Sequence, residues 1–397
     1  MNPPKTLKYR VESIDILRGL IMLVMTLDHC REFIHFQGPK FEPTNMATTT
    51  VVLFFTRWFT HYCAPVFVFL SGVSAYLAGI KRSGNELAMF LMKRGLWLIV
   101  ADAIVISFMF NLDPSFKGII LEVLWAIGGS MIILGLLKLL RAPLWLISTV
   151  GGIIFFGHNL TNLVQLPQTG AGSILLRVFL TAPAVFAPTA NHLILEAYAV
   201  LPWTGVMLIG YTFGSFYRDA FDALRRRKIL LIAGIALTGL FILLRLINAY
   251  GDPATWSPQR NGMHTLLSFL NTTKYPPSLM YLCMTLGPAL MILSWVEGGQ
   301  NKFAAACRVY GGVPFFYFVV HLYLVRLIYI ILTAVSGINI FSVKSPEAPF
   351  VAQAPGFGYP LWVVYLVWIL VIVILYFPCR WYGNYKRTHR QWWLSYL

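Results

Sequence analysis

The sequence predicts an all-α fold. It reads as a polytopic integral membrane bundle of about ten transmembrane helices with both termini cytoplasmic, residues 1–397 forming one transmembrane domain. Composition is the first observation behind this. Of 397 residues, 58% are hydrophobic and 12% charged, with a mean hydropathy of +0.69, whereas a soluble domain carries about 25% charged residues. Segment length is the second: ten mostly apolar runs approach the roughly 20 residues that a bilayer-crossing helix needs. Charge placement is the third. With the N-terminus inside, 20 of the 31 Lys and Arg residues fall in inner segments and six in outer ones, the bias that orients membrane helices.

The net charge of +16 sits in short loops between apolar runs, so it encodes topology and argues against nucleic acid as a partner. The five cysteines (Cys30, Cys63, Cys283, Cys307 and Cys379) are scattered without metal-ligand spacing. They predict neither a disulfide framework nor a metal site.

The first ten residues, MNPPKTLKYR, read as a polar, basic flank with no cleavable signal peptide behind it. The predicted spans follow at 14–36, 51–80, 87–111, 117–140, 142–158, 193–217, 228–248, 275–296, 310–336 and 359–380. Between the fifth and sixth, a short apolar piece at 173–187, interrupted by Pro183 and Pro188, is too short to span and suggests a re-entrant segment. Outer loops 249–274 and 337–358 are the other long connections. No internal repeat or matched pair of broken helices appears, which weakens a transporter reading.

Ionisable side chains within the spans are the functional candidates, because each is costly in hydrocarbon. The first span reads SIDILRGLIMLVMTLDHCREF. Asp15 and Arg18 are neighbours at i,i+3, and Arg18 and His29 share a face three turns apart, about 16 Å along the axis. The second span contains RWFTHYCAPVFVFLSG, with Arg57 one turn before His61 and Pro65 one turn after. Pro65 lacks an N–H, so the His61 carbonyl loses its helical partner and a kink is expected there. The run back from the outer surface places His61 at a depth similar to His29, with Asp28 and Arg57 near enough to orient or balance them. Later spans add Asp102, then Glu122 with Trp125, then Glu196 and Pro202, and finally Tyr317, His321 and Arg326. Each histidine has a plainer reading as a hydrogen-bonded packing residue, and Asp15–Arg18 as an interfacial ion pair. No phosphate loop, nucleophile elbow or zinc-helix motif is present.

The stretches RVESIDILRGLIMLVMTLDH and RWFTHYCAPVFVFLSG resemble the heparan-α-glucosaminide N-acetyltransferase family, in particular its bacterial branch. Arg18 and His29 are also similar to the Arg and His that the broader bacterial membrane O-acyltransferases carry on their first helix. The resemblance implies a transmembrane acyltransferase that takes an acyl group, acetyl above all, from cytosolic acyl-CoA. It passes that group to a hydroxyl or amine of an extracytoplasmic sugar or glycan. The expected partners are acyl-CoA, the acceptor and the bilayer, with a homodimer admitted and no metal expected. The inside-positive bias and the lack of a targeting segment fit a bacterial inner membrane. One branch of the resemblance points to His61 as the essential histidine and the other to His29; the match of the whole surrounding segment favours His61, with His29 second.

The candidate catalytic set is therefore His61, His29 and Asp28, and the candidate donor-binding set is Arg18, Asp15, Arg57 and His321. A histidine suits either general-base work on the acceptor or carriage of the acyl group. Arg18, with loop residues Lys93 and Arg94, suits the CoA phosphates, and Arg57 or a backbone N–H near the kink suits the oxyanion. The competing readings are a proton-coupled transporter or exporter of a small solute, whose histidines and carboxylates relay protons, and a non-catalytic scaffold.

Overall fold

The computed structural model describes residues 11–36, 38, 42–163, 171–299, 301–342, 350–389, 391 and 394. Lys5, Lys8, Arg10, Lys40, Lys344 and Arg390, used above to read topology, lie outside the described residues.

The chain begins with α1 (Glu12–Ile34), whose 23 residues carry Glu12 and Asp15 in the first turn and Arg31 in the last, matching the helix dipole at both ends. The second predicted span divides into α2 (Val51–Thr60) and α3 (Cys63–Gly79), with His61 and Tyr62 at the break. The Thr50 side chain caps α2 by accepting from the Leu53 N–H. Helix α4 (Gly84–Ala101) opens on a capping box of Ser83 and Glu86. It continues through a π-helical turn, Asp102–Ile106, into α5 (Ser107–Asn111). Strand β1 (Gly118–Leu121), α6 (Val123–Leu139), α7 (Leu144–Gly157) and α8 (Ala171–Leu180) follow. After them come strands β2 (Ala184–Thr189) and β3 (His192–Glu196), then α9 (Val200–Gly214) and α10 (Ala223–Ile247). The chain closes with α11 (Gly262–Leu270), α12 (Leu279–Trp295), α13 (Lys302–Gly311), α14 (Pro314–Val335) and α15 (Leu361–Thr388).

Among the described residues, five helical segments are long and apolar enough to cross a membrane: Val51–Gly79, Leu144–Leu163, Ala223–Ile247, Pro314–Val335 and Leu361–Thr388. Shorter apolar helices are Val123–Leu139 and Leu279–Trp295. Helix α10 turns Ile232, Ile235, Leu243 and Leu246 outward. Exposed apolar faces of this length belong in lipid, and the protein is an integral membrane protein of mostly helical fold. Helix α1 has the length of a span but carries the charges of the candidate site, and most of it is buried. It packs against α2, α3, α12, α13, α14 and α15 and is the axis of the bundle.

Two predicted spans start differently from the expectation. Residues 118–121 and 192–196 are not helical turns but strands of a three-stranded sheet in the order β1-β3-β2. Strand β1 runs parallel to β3 with Gly118 opposite Leu193 and Leu121 opposite Glu196, and β2 runs antiparallel to β3. The segments Gly118–Leu121 and His192–Glu196 are rich in Ile and Leu without helical polarity, and each satisfies its backbone by pairing with the other. The piece expected to be re-entrant becomes α8 followed by β2. The all-α expectation therefore holds for the bundle and is corrected at this sheet.

Candidate active site

His29 is held from α14. Its Nδ1 lies 2.9 Å from His321 Nε2, and the two rings stack with centroids 5.0 Å apart. His321 is fully buried, and its Nδ1 lies 2.9 Å from the Tyr317 carbonyl one turn earlier. The Tyr317 ring stacks on His321 at 5.1 Å, and its hydroxyl bonds back to Thr26 of α1 at 2.5 Å. Two hydrogen bonds thus clamp α1 to α14 one turn apart. His29 as a residue is half-buried, and no hydrogen bond occupies its Nε2 among the described residues.

His61 sits at the α2–α3 break and is 4% exposed. Its carbonyl, left without a helical donor by Pro65, accepts from the Tyr281 hydroxyl of α12 at 2.7 Å, and the two rings meet edge to face at 5.5 Å. His61 Nδ1 is enclosed without a partner. The His61 backbone N–H donates to the Arg57 carbonyl at 3.1 Å, but among the described residues no hydrogen bond joins its ring to His29, Asp28 or Arg57.

Asp28 lies between two arginines. Arg31 reaches its Oδ1 through Nη2 at 3.0 Å and Nε at 3.3 Å, and Arg57 Nη1 donates to its Oδ2. All three groups are nearly buried, so each depends on the others for charge balance. Both Asp28 oxygens are thereby engaged by guanidinium groups, and neither bonds to a histidine. Arg57 Nε is enclosed and unpartnered.

Lys274, from the segment before α12, adds its charge to this region. It acts electrostatically on Asp28, His29 and His61. Its Nζ lies 4.8 Å from the centre of the Tyr275 ring and 5.7 Å from that of Tyr198, within cation–π range. Glu32 of α1 and Glu122 at the start of α6 are charge neighbours of one another. The result is a polar region of mixed sign around a half-buried histidine.

Arg18 and Asp15 occupy the other end of α1. Arg18 Nη1 donates to Asp15 Oδ1 and to the Gly311 carbonyl, both at 3.2 Å, and Nη2 donates to Ser74 Oγ at 2.9 Å. The backbones meet closely here: a Cβ on Gly19 would overlap the Cys307 carbonyl, and one on Gly311 would overlap that of Asp15. Arg18 therefore ties α1 to α3 and α13 about three turns from His29.

The structure thus joins His29 to His321, Asp28 to Arg57, and Asp15 to Arg18. It leaves His61 among the same charges without a direct bond to them. Sequence reasoning missed Tyr281 and Lys274. Tyr281 carries no local signal, and Lys274 could be noticed only as one of the few outer basic residues. Among the described residues, no group of three or more His, Cys, Asp or Glu is placed to hold a metal ion.

The sequence model of one protein family, described as "Heparan-alpha-glucosaminide N-acetyltransferase, catalytic", matches residues 10–245. The match exceeds half of the chain and includes Asp15, Arg18, Asp28, His29, Arg57 and His61, while Lys274, Tyr281 and His321 lie beyond it. No curated protein matches the chain.

Proposed function

Because the chain belongs to the heparan-α-glucosaminide N-acetyltransferase catalytic family, we propose that it moves an acetyl group from cytosolic acetyl-CoA to an extracytoplasmic sugar or glycan hydroxyl or amine, with His29 as the base. In this reading about ten segments cross a bacterial inner membrane and both termini are cytoplasmic. The Arg18 end of α1 faces the cytosol and the His29 end faces the acceptor. A homodimer is compatible with this arrangement. A match to a catalytic family favours the enzyme over proton-coupled transport.

The observation that carries the assignment of the base is the contrast between the histidines. His321 is sealed with both nitrogens engaged, and His61 is nearly enclosed. His29, a half-buried residue, is anchored through one nitrogen and keeps the other unbonded among the described residues. The acceptor oxygen or nitrogen attacks the thioester carbonyl carbon while its proton passes to His29 Nε2. The C–S bond then breaks, and CoA leaves as thiolate, which takes up the proton from the imidazolium. Arg57 and Lys274 supply positive charge for the oxyanion, and Asp28 keeps Arg57 in place. Arg18 and Asp15 stand at the cytoplasmic end, where the CoA phosphates arrive. An extended phosphopantetheine arm spans the distance of about 16 Å from there to His29.

Transfer from labelled acetyl-CoA to a panel of sugars, with purified protein in lipid, tests this reading. The His29→Ala substitution is expected to lower transfer about 10²–10⁴-fold, and His61→Ala by less than tenfold. The reverse order would make His61 the base. Release of CoA without acceptor would show that His29 carries the acyl group itself. Solute uptake coupled to protons, without saturable CoA binding, would replace the enzyme by a transporter.

A further inference from the structure

We propose that His321 is a positioning residue that sets the tautomer of His29, placing the proton on Nδ1 and the lone pair on Nε2. The inference rests on His29 acting as the base, and it deepens that reading by assigning the second histidine a role.

The argument follows from which atoms can donate. A carbonyl oxygen only accepts, so the 2.9 Å contact between His321 Nδ1 and the Tyr317 carbonyl requires a proton on that nitrogen. Neutral His321 then has Nε2 as its acceptor, and the 2.9 Å contact with His29 Nδ1 requires the proton to be on His29. His29 Nε2 is left with its lone pair and, among the described residues, without a hydrogen-bond partner.

His321 cannot easily turn to undo this. It is fully buried, stacked between the rings of His29 and Tyr317, with Phe318 against its edge at 5.8 Å. Tyr317 is itself held by Thr26 at 2.5 Å. The chain Tyr317 carbonyl, His321, His29 thus runs in one direction and ends at a nitrogen that has no hydrogen-bond partner among the described residues. When His29 accepts a proton on Nε2, its Nδ1–H still donates to His321, and the bond becomes charge-assisted. The same contact that selects the tautomer therefore stabilises the imidazolium formed during transfer. His321 does this as a neutral acceptor and remains sealed from both substrates.

The other charged and titratable groups around His29 do not set its tautomer. Asp28, Arg31 and Glu32 lie on α1, Arg57 on α2, His61 at the α2–α3 break, Glu122 at α6 and Lys274 before α12. Among the described residues none of them hydrogen-bonds to either nitrogen of His29. Asp28, Lys274, Arg31 and Arg57 act on its total charge through space, whereas among the described residues His321 alone bonds to Nδ1.

The test is solid-state NMR of histidine-15N-labelled protein in lipid, together with transfer kinetics of His321→Gln and His321→Leu. The wild-type spectrum is expected to show neutral His29 protonated on Nδ1. In His321→Leu the signal moves toward the Nε2–H form. Its kcat falls about 10²-fold with KM for acetyl-CoA unchanged, and the acidic limb of the kcat–pH profile shifts to higher proton-binding resistance, toward lower pH. His321→Gln, which keeps an acceptor oxygen, recovers part of kcat. A wild-type His29 carrying its proton on Nε2 overturns the proposal whatever the variants do, even where His321→Leu fails to fold. A folded His321→Leu with unchanged tautomer and kcat overturns it as well. Full activity in His29→Ala would instead remove the base assignment and leave the tautomer result standing.

Discussion

Tyr281 of α12 donates its hydroxyl to the carbonyl of His61 across 2.7 Å, 220 residues away in sequence. The bond supplies the donor that Pro65 withholds. Without it a backbone carbonyl would be stranded inside the membrane, where no water replaces the missing partner. Helix α2 ends at Thr60, and α3 begins at Cys63. The break is held in one geometry by an aromatic residue from a distant helix.

Removing that hydroxyl should therefore cost stability. For Tyr281→Phe we expect a loss of about 1–3 kcal/mol, the range for a buried acceptor left unsatisfied. It would be measured by thermal unfolding in detergent against Tyr62→Phe, whose ring lies at the same break. Equal stability of the two variants would show that another group satisfies the His61 carbonyl.

The Asp28 carboxylate balances Arg31 and Arg57. Asp28→Asn should destabilise the protein by about 3–5 kcal/mol, because two nearly buried guanidinium groups lose their counter-charge. Adding Arg57→Gln to that variant should restore part of the loss. A double-mutant cycle in the same detergent reads the coupling, and strict additivity would count against the pairing.

The α1–α13 crossing depends on glycine. A Cβ on Gly311 would overlap the Asp15 carbonyl and one on Gly19 the Cys307 carbonyl. Gly311→Ala should separate the helices at a cost of about 1–3 kcal/mol and loosen the Arg18 bond to the Gly311 carbonyl. Gly84→Ala, where a Cβ meets open space, is the control. Equal unfolding temperatures for the two would contradict the close contact.

Asp102 caps a helix that is not its own. Its Oδ2 accepts from the Glu122 and Trp125 N–H groups at 2.7 and 2.8 Å, at the start of α6. Asp102→Asn keeps an acceptor oxygen and should be tolerated, while Asp102→Leu strands two donors and should cost about 1–3 kcal/mol. Hydrogen exchange at the α6 N-terminus is the direct measurement. Unchanged protection in Asp102→Leu would rule out the cap.

Much of the bundle was legible in the chain. Apolar run lengths mark Val51–Gly79, Ala223–Ile247, Pro314–Val335 and Leu361–Thr388 as membrane-crossing. A missing N–H at Pro65 announces the break beside His61, and i,i+3 spacing announces the Asp15–Arg18 pair. The spans predicted at 117–140 and 193–217 take in strand residues 118–121 and 193–196, because a short apolar run has no period long enough to separate helix from strand.

The candidate site itself was legible only as a set of unusual residues. Spacing along α1 identifies His29 and Asp28 as polar groups in an apolar run, and the same reasoning identifies His61, Arg57 and His321. Their partnerships are tertiary: His29 with His321 across 292 positions, Asp28 with Arg57 across 29. Within one helix, neighbours follow from 3.6 residues per turn. Between helices in lipid, one apolar face resembles another, so partner and rotation are decided by close packing at small residues and by polar groups finding each other. Composition and periodicity accordingly determine that this chain is a membrane bundle with buried imidazoles. Which imidazole has both nitrogens engaged and which keeps one unbonded among the described residues was decided by how α1 and α14 dock, since that contact leaves the two rings with different neighbours.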